Sequence, residues 1–171
     1  MSTVESAGPA TRSRTITWHD PLPAAAAGAQ MAGLDYVRAV QAGEMPPPPI
    51  AVVMNFSIAE LEGGRAVFIG EPGEEHYNPI GVVHGGYAST ILDSALGCAV
   101  HTTLPAGVGY TSQTLEVKYL RSLTRDTGAV RSEAEVIHRG RRTATAEAKL
   151  TAVESGKLLA TGTSTCLILE R

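Results

Sequence analysis

The sequence predicts an α+β fold in which an antiparallel sheet lays one face on a single long helix, and three observations predict it. From Gly85 to about Thr103, the apolar residues Ala88, Ile91, Leu92, Ala95 and Ala99 recur at helical spacing. A hairpin signal precedes that helix and four strand candidates follow it, which is the order of an α+β domain. The 171 residues, with 18 Gly and 10 Pro, suit one turn-rich domain large enough to bury a core.

Taken in order, residues 1–30 read as a weakly ordered N-terminal segment rich in Ser, Thr, Pro and Ala, and residues 31–171 as the folded domain. Gly33 to Ala42 sets Leu34 and Val37 along one side of a short helix. Pro46 to Pro49 cannot continue it, because each proline lacks the N–H and fixes φ, so an extended connector is expected. Ala51 to Leu61 is a β-rich run, Glu62-Gly63-Gly64 the turn, and Arg65 to Ile69 the return. Pro72, Gly73 and Pro79 break Glu71 to Gly81 into a loop. Beyond the long helix, Tyr110 to Leu120 sets Leu115, Val117 and Tyr119 against Thr114, Glu116 and Lys118, and Ala129 to His138 alternates likewise. Arg142 to Val153 alternates most cleanly, with Ala144, Ala146, Ala148, Leu150 and Ala152 on one face. Gly156 marks the last turn, and Leu158 to Leu169 closes the domain.

Composition removes several function classes. A net charge of −3 gives no long-range attraction for nucleic acid or an anionic membrane. Met1 to Arg14 holds no apolar signal region, and no run of about 18 apolar residues occurs, so a cytoplasmic protein is expected. Cys98 and Cys166 lie far apart in apolar settings and read as free thiols. The five histidines lack metal-ligand spacing, and neither a Gly-x-Ser-x-Gly elbow nor a nucleotide-binding glycine fingerprint is present.

The informative stretch runs from Glu75 to Glu116. Of the residues between them, Asp93 is the only Asp, Glu, Lys or Arg. A lone carboxylate on a buried helix is costly without a partner or a task. It falls in line with Gly86, Thr90 and Gly97, a stripe of small residues suited to lining a cleft; capping a local break or facing solvent is the other reading. Val83-His84-Gly85-Gly86 stands at the expected helix start, where glycines permit close approach and the first N–H groups are unpaired donors at the positive end. Such donors suit a developing oxyanion. His138-Arg139-Gly140-Arg141-Arg142, at a strand-to-strand turn, reads either as a grip on ligand phosphates or as a solvated charged turn.

Asn78-Pro79-x3-Val83-His84-Gly85-Gly86-x6-Asp93 resembles the phenylacetate-pathway (PaaI-like) type of hotdog acyl-CoA thioesterase. The stretches 110–120, 136–142 and 160–162 are similar to that family in order and spacing, so the resemblance covers roughly residues 45–169. It implies the hotdog fold, a curved antiparallel sheet wrapped around one long central helix, paired into homodimers and further into dimers of dimers, with active sites at the dimer interface. It implies hydrolysis of an acyl-CoA without any cofactor, coenzyme A being part of the substrate. By resemblance, Asp93 is the general base or nucleophile and the N–H of Gly85, or else of Gly86, polarises the thioester carbonyl. Asn78 orients substrate or water, His84 fixes the loop, and Ser112, or else Thr111, supplies a hydroxyl across the interface. Arg139, Gly140 and Arg141 lie near the pantetheine and phosphates of coenzyme A. The N-terminal part, with its run of four prolines, exceeds the minimal hotdog core and is long enough to cover the acyl pocket and alter substrate choice. Two rival readings stand beside this one: a hydratase or dehydratase pairing His76 with Asp93, and a non-catalytic acyl-CoA sensor.

Overall fold

Alternation along one strand shows how the sheet takes its register. In β5 (Thr143–Ala152), Ala144, Ala146, Ala148, Leu150 and Ala152 are buried, while Thr143, Glu147 and Lys149 are exposed. A slip of one residue would turn that whole apolar set to water. The structure, a computed structural model, describes residues 10–170. Its sheet has six antiparallel strands in the spatial order β1-β2-β4-β5-β6-β3. The edges are β1 (Phe56–Glu62) and β3 (Val108–Tyr119); β2 (Arg65–Gly70), β4 (Val130–Arg139) and β6 (Leu158–Glu170) complete it with β5. The small side chains of β5 leave room for α4 (Gly85–His101), whose Ile91, Leu92, Ala95, Leu96 and Ala99 are wholly buried against the sheet. Each Leu or Ile buried in this way stabilises the fold by about 1.5–3 kcal/mol. The α+β class, the hotdog arrangement and the long helix are as the sequence predicts.

Strand β3 departs from simple alternation. Its pairing with β6 shifts between Ser112 and Thr114, so Gln113 is the extra residue of a β-bulge. A bulge exchanges the faces of the residues that follow it. Before it, Tyr110 and Ser112 face α4; after it, Val117 and Tyr119 do. This edge is open in the single chain, Leu115 being 39% and Tyr119 56% exposed.

The N-terminal third differs most from expectation. A helix, α1 (Pro21–Gly28), lies inside the segment read as weakly ordered; Asp20 caps it by accepting from the Leu22 N–H at 3.0 Å, and Pro21 occupies its first turn. Arg14 donates to Val52 O at 3.2 Å and to Glu75 at 2.7 Å, which ties this segment to the domain. Residues 1–9 of the segment lie outside the described residues. The short helix α2 (Gly33–Gln41) is as expected, with Val37 buried. Pro49, expected within an extended connector, instead starts α3 (Pro49–Met54), and Ala51 to Met54 are helical rather than part of a strand. A proline that cannot continue a helix is well suited to begin one, since its missing N–H would be unpaired there anyway. Asn55 then ends α3 at φ 54°, and β1 begins only at Phe56. Among the described residues, no helix is long and apolar enough to cross a membrane.

Candidate active site

Asp93 stands half-buried midway along α4, far from either helix end, and Ser112 Oγ donates to its Oδ1 at 3.1 Å. The bulge at Gln113 decides this contact, because it leaves Ser112 on the helix side while the chain beyond reverses its parity. Thr111, one residue earlier, points to the opposite face of the strand, so Ser112 is the hydroxyl that reaches the carboxylate. Asp93 and Ser112 line a cavity of about 500 Å³ together with Gly97, Cys98, His101 and Tyr110. Burial and the Asp93 carboxylate push the Cys98 thiol up to about 12, so it stays protonated and is no nucleophile at neutral pH. Burial also lowers the pKa of His101, which keeps that imidazole neutral.

The start of α4 forms a second cluster. His84 is the N-cap residue, and its Nδ1 accepts from the Gly86 N–H at 2.8 Å. That bond consumes the Gly86 donor and leaves the Gly85 N–H without an acceptor among the described residues. Asn78 Oδ1 accepts from the N–H groups of Ile80 at 3.1 Å and Val82 at 3.2 Å, tying the preceding loop into a turn. Its amide nitrogen remains available as a donor. His84 N–H donates to His76 O at 2.7 Å, and Tyr77 pairs with Val83, so the loop leading into the helix is itself a small clamp. Asn78, His84, Gly85 and Tyr119 line a separate pocket of about 290 Å³. Tyr119 lies over Gly85, where an added Cβ would meet its ring at 3.2 Å, and its hydroxyl shares a hydrogen bond of 2.6 Å with Ser89. Sequence reading did not single out Tyr119, because on paper it is one more alternating strand residue.

One chain therefore holds two separate clusters. Gly85 and Asp93 are separated by two turns of α4, about 12 Å of rise. A reacting carbonyl must lie about 3 Å from both its oxyanion donor and the attacking group. Asp93 and Gly85 of the same chain cannot satisfy that together. The expected arrangement is corrected accordingly: Ser112 reaches Asp93 within its own chain, not from a second one. The residues left distant from Asp93 are Gly85 and Asn78.

The basic turn is also distant. Arg139 pairs with Ala144, Ala144 with Cys166, and Cys166 with Ser112, a row spanning three strand spacings, or about 14 Å. Ala144 and Cys166 between them are buried, while Arg139 and Arg141 are exposed and Gly140 sits at the turn. His76 is not in the Asp93 cavity either; its Nδ1 accepts from Gly73 N–H at 2.9 Å and its ring packs on Tyr87. Within one chain, then, His76 and Asp93 do not form the acid–histidine pair of a hydratase.

Comparison with known proteins bears on the fold and the family. Residues 80–159 match the Thioesterase superfamily. Among curated proteins, none matches the chain. A phenylacetic acid degradation-related protein from Ralstonia eutropha JMP134 superimposes with a TM-score of 0.70 at 28% identity, covering 77% of this chain and 98% of that one. The phenylacetic acid degradation protein PaaI of Thermus thermophilus gives 0.64 at 29% identity, over 70% of this chain and 98% of its own. A further Thermus thermophilus structure gives 0.64 at 30% identity, over 71% of this chain and 97% of its own. With the long helix, the six-stranded sheet and the mid-helix carboxylate all in place, the chain belongs to the thioesterase superfamily as a PaaI-like hotdog thioesterase.

Proposed function

We propose that the protein hydrolyses acyl-CoA thioesters in composite sites formed by two copies, Asp93 and Ser112 coming from one chain and Gly85 and Asn78 from the other. The observation that carries this reading is the half-buried Asp93, one carboxylate oxygen held by Ser112 in a largely apolar cavity, with its best oxyanion donor two helical turns away. Edge strand β3 supports the pairing. It carries Ser112 and Tyr119, one residue for each half-site, and its exposed edge offers unpaired backbone groups to a second β3.

Ser112 holds Oδ1 and leaves Oδ2 to act on water. As Asp93 takes a proton, the water oxygen bonds to the acyl carbon, and the carbonyl electron pair moves onto the oxygen facing the Gly85 N–H. Collapse of that oxyanion breaks the C–S bond, and the departing thiolate recovers the proton from Asp93. The products are the free acid and coenzyme A. If Asp93 attacks instead, it displaces the thiolate to form a mixed anhydride. When water then cleaves that anhydride at the Asp93 carbonyl, single turnover in ¹⁸O-water leaves the label in Asp93, which the water-mediated route never does. A thiolate is a good leaving group, so neither a metal nor a cofactor is required. Arg139 and Arg141 grip the phosphates of coenzyme A by charge-assisted hydrogen bonds. From their place across the sheet, they serve the active site of a neighbouring chain, which accords with dimers paired again into tetramers.

Release of free thiol from a panel of acyl-CoAs tests the reading, with wild type beside Asp93→Ala and Asp93→Asn. Wild type turns over, and the Ala variant loses at least about a hundredfold, the scale of a missing acid–base group. Full activity in the variant removes Asp93 from the mechanism. Binding of acyl-CoA without cleavage by the wild type makes the protein a sensor.

A further inference from the structure

The cavity beside Asp93 has a wall that the sheet does not supply. Tyr36, Val37 and Val40 of α2 and Ala51 of α3 face it across from Gly97 and His101 of α4. This wall is fixed in place. Gly33, at the start of α2, sits so close to α4 that an added Cβ would overlap the His101 carbonyl oxygen, and its N–H donates to Leu104 O at 2.9 Å. At the other end of α2, Gln41 donates to Ala59 O of β1 at 2.8 Å. The Ralstonia relative is covered to 98% by 77% of this chain, so this chain carries residues beyond the shared fold.

The cavity runs along α4 from Asp93 to His101, again two turns or about 12 Å. At the His101 end it is lined by rings in series: Tyr36 and His101 lie 5.7 Å apart, His101 and Tyr110 5.3 Å. Its sides are mostly aliphatic or aromatic, from Val37 and Val40 to Phe56 and Phe68, with Gln41, Ser57 and Ser94 the neutral polar exceptions. No Lys or Arg among the described residues lines it, and Asp93 is the one acidic residue there.

We infer that this cavity is the acyl subsite and that α2 and α3 set its depth, so that preferred substrates carry a neutral, unbranched acyl chain of about eight to ten carbons. The inference rests on the acyl-CoA reading above and adds the class of acyl group. A chain entering at Asp93 meets apolar walls for the length of two helical turns and stops at the three rings. An acyl group ending in a carboxylate meets no cation there and shares the cavity with Asp93, so it is rejected.

The test is kcat/KM for straight-chain acyl-CoAs from acetyl to palmitoyl, with glutaryl-CoA set against hexanoyl-CoA. Burial of each added CH2 raises kcat/KM about fourfold until the rings are reached, after which it levels or falls. Glutaryl-CoA falls at least about tenfold below hexanoyl-CoA. Val40→Trp shortens the cavity, moving the optimum to shorter chains and lowering the decanoyl-to-butyryl ratio at least about tenfold. Val40→Phe stands in if the Trp variant melts early by circular dichroism. A flat length profile, or an optimum unmoved in a folded Val40 variant, overturns the inference. Should no acyl-CoA be cleaved by wild type, the hydrolase reading fails while the subsite is still read by calorimetric titration of the same acyl-CoAs. Affinity that rises with chain length and shifts with Val40 upholds the subsite, and affinity indifferent to length sinks it.

Discussion

At the scale of single residues, His84 links the sequence to the chemistry. Its imidazole accepts from the Gly86 N–H and so selects Gly85 as the free donor at the helix start. Replacing it by Ala removes an N-cap and leaves two competing donors where one was aimed. The expected outcome of His84→Ala is a loss of about 0.5–2 kcal/mol in urea denaturation, together with lower turnover. Stability equal to wild type would show that the cap is idle. His101 gives a pH signature. Burial holds its pKa below the ordinary 6.5, so on acidification the unfolded chain takes up the proton first. Its contribution to stability is complete above about 6.5 and declines below that pH until the folded-state pKa is passed. Urea midpoints measured from pH 7 downwards should therefore fall, and His101→Phe should flatten that fall. An equal slope in both proteins would mean that the imidazole is already free to charge in the folded chain. Asp93, His84 and the two glycines were legible in the sequence because isolation and spacing mark them. Tyr119 and the ring series at His101 were not, since their roles arise only when strand and helix meet.

Secondary-structure elements obey a similar division. The long helix and the alternation of β5 were readable because period and burial agree at every position. What hid the rest was local geometry that a pattern does not encode. A bulge at Gln113 places Ser112 and Val117 on one face although they are five residues apart, and strict alternation separates such a pair. Pro49 reads as a break in a connector, yet it opens a helix and delays β1 to Phe56. The attachment of α2 to α4 follows the same logic, for Gly33 reads only as the first residue of a short helix until its neighbour is known. Its missing side chain is the space occupied by the His101 carbonyl. Gly33→Ala must therefore lift α2 off α4, at an expected cost of about 1–3 kcal/mol by thermal or urea unfolding. Since α2 walls the acyl cavity, the variant should also flatten the chain-length profile of hydrolysis. A variant as stable as wild type would place the two helices further apart than described.

For the whole molecule, the proposed composite site would make catalysis a property of the assembly. In the proposed two-fold dimer, with β3 at the interface, each site would take Asp93 from one chain and Asn78 with Gly85 from the other. Asp93→Ala and Asn78→Ala dimers each lack one necessary group in both of their sites. A mixed dimer gathers both lesions into one site and leaves the other intact. Random exchange makes half of the dimers mixed, so an equimolar mixture should recover roughly a quarter of wild-type turnover from two nearly inactive parents. Co-refolding the two variants, then measuring thiol release against the unmixed proteins, checks this. Recovery would depend on dilution, disappearing below the concentration at which the dimer separates. A mixture no more active than its parents, at concentrations where sedimentation shows a dimer, would place all the reacting groups within one chain. That outcome would require Gly85 and Asp93 to act across about 12 Å of helix, which a single carbonyl cannot bridge.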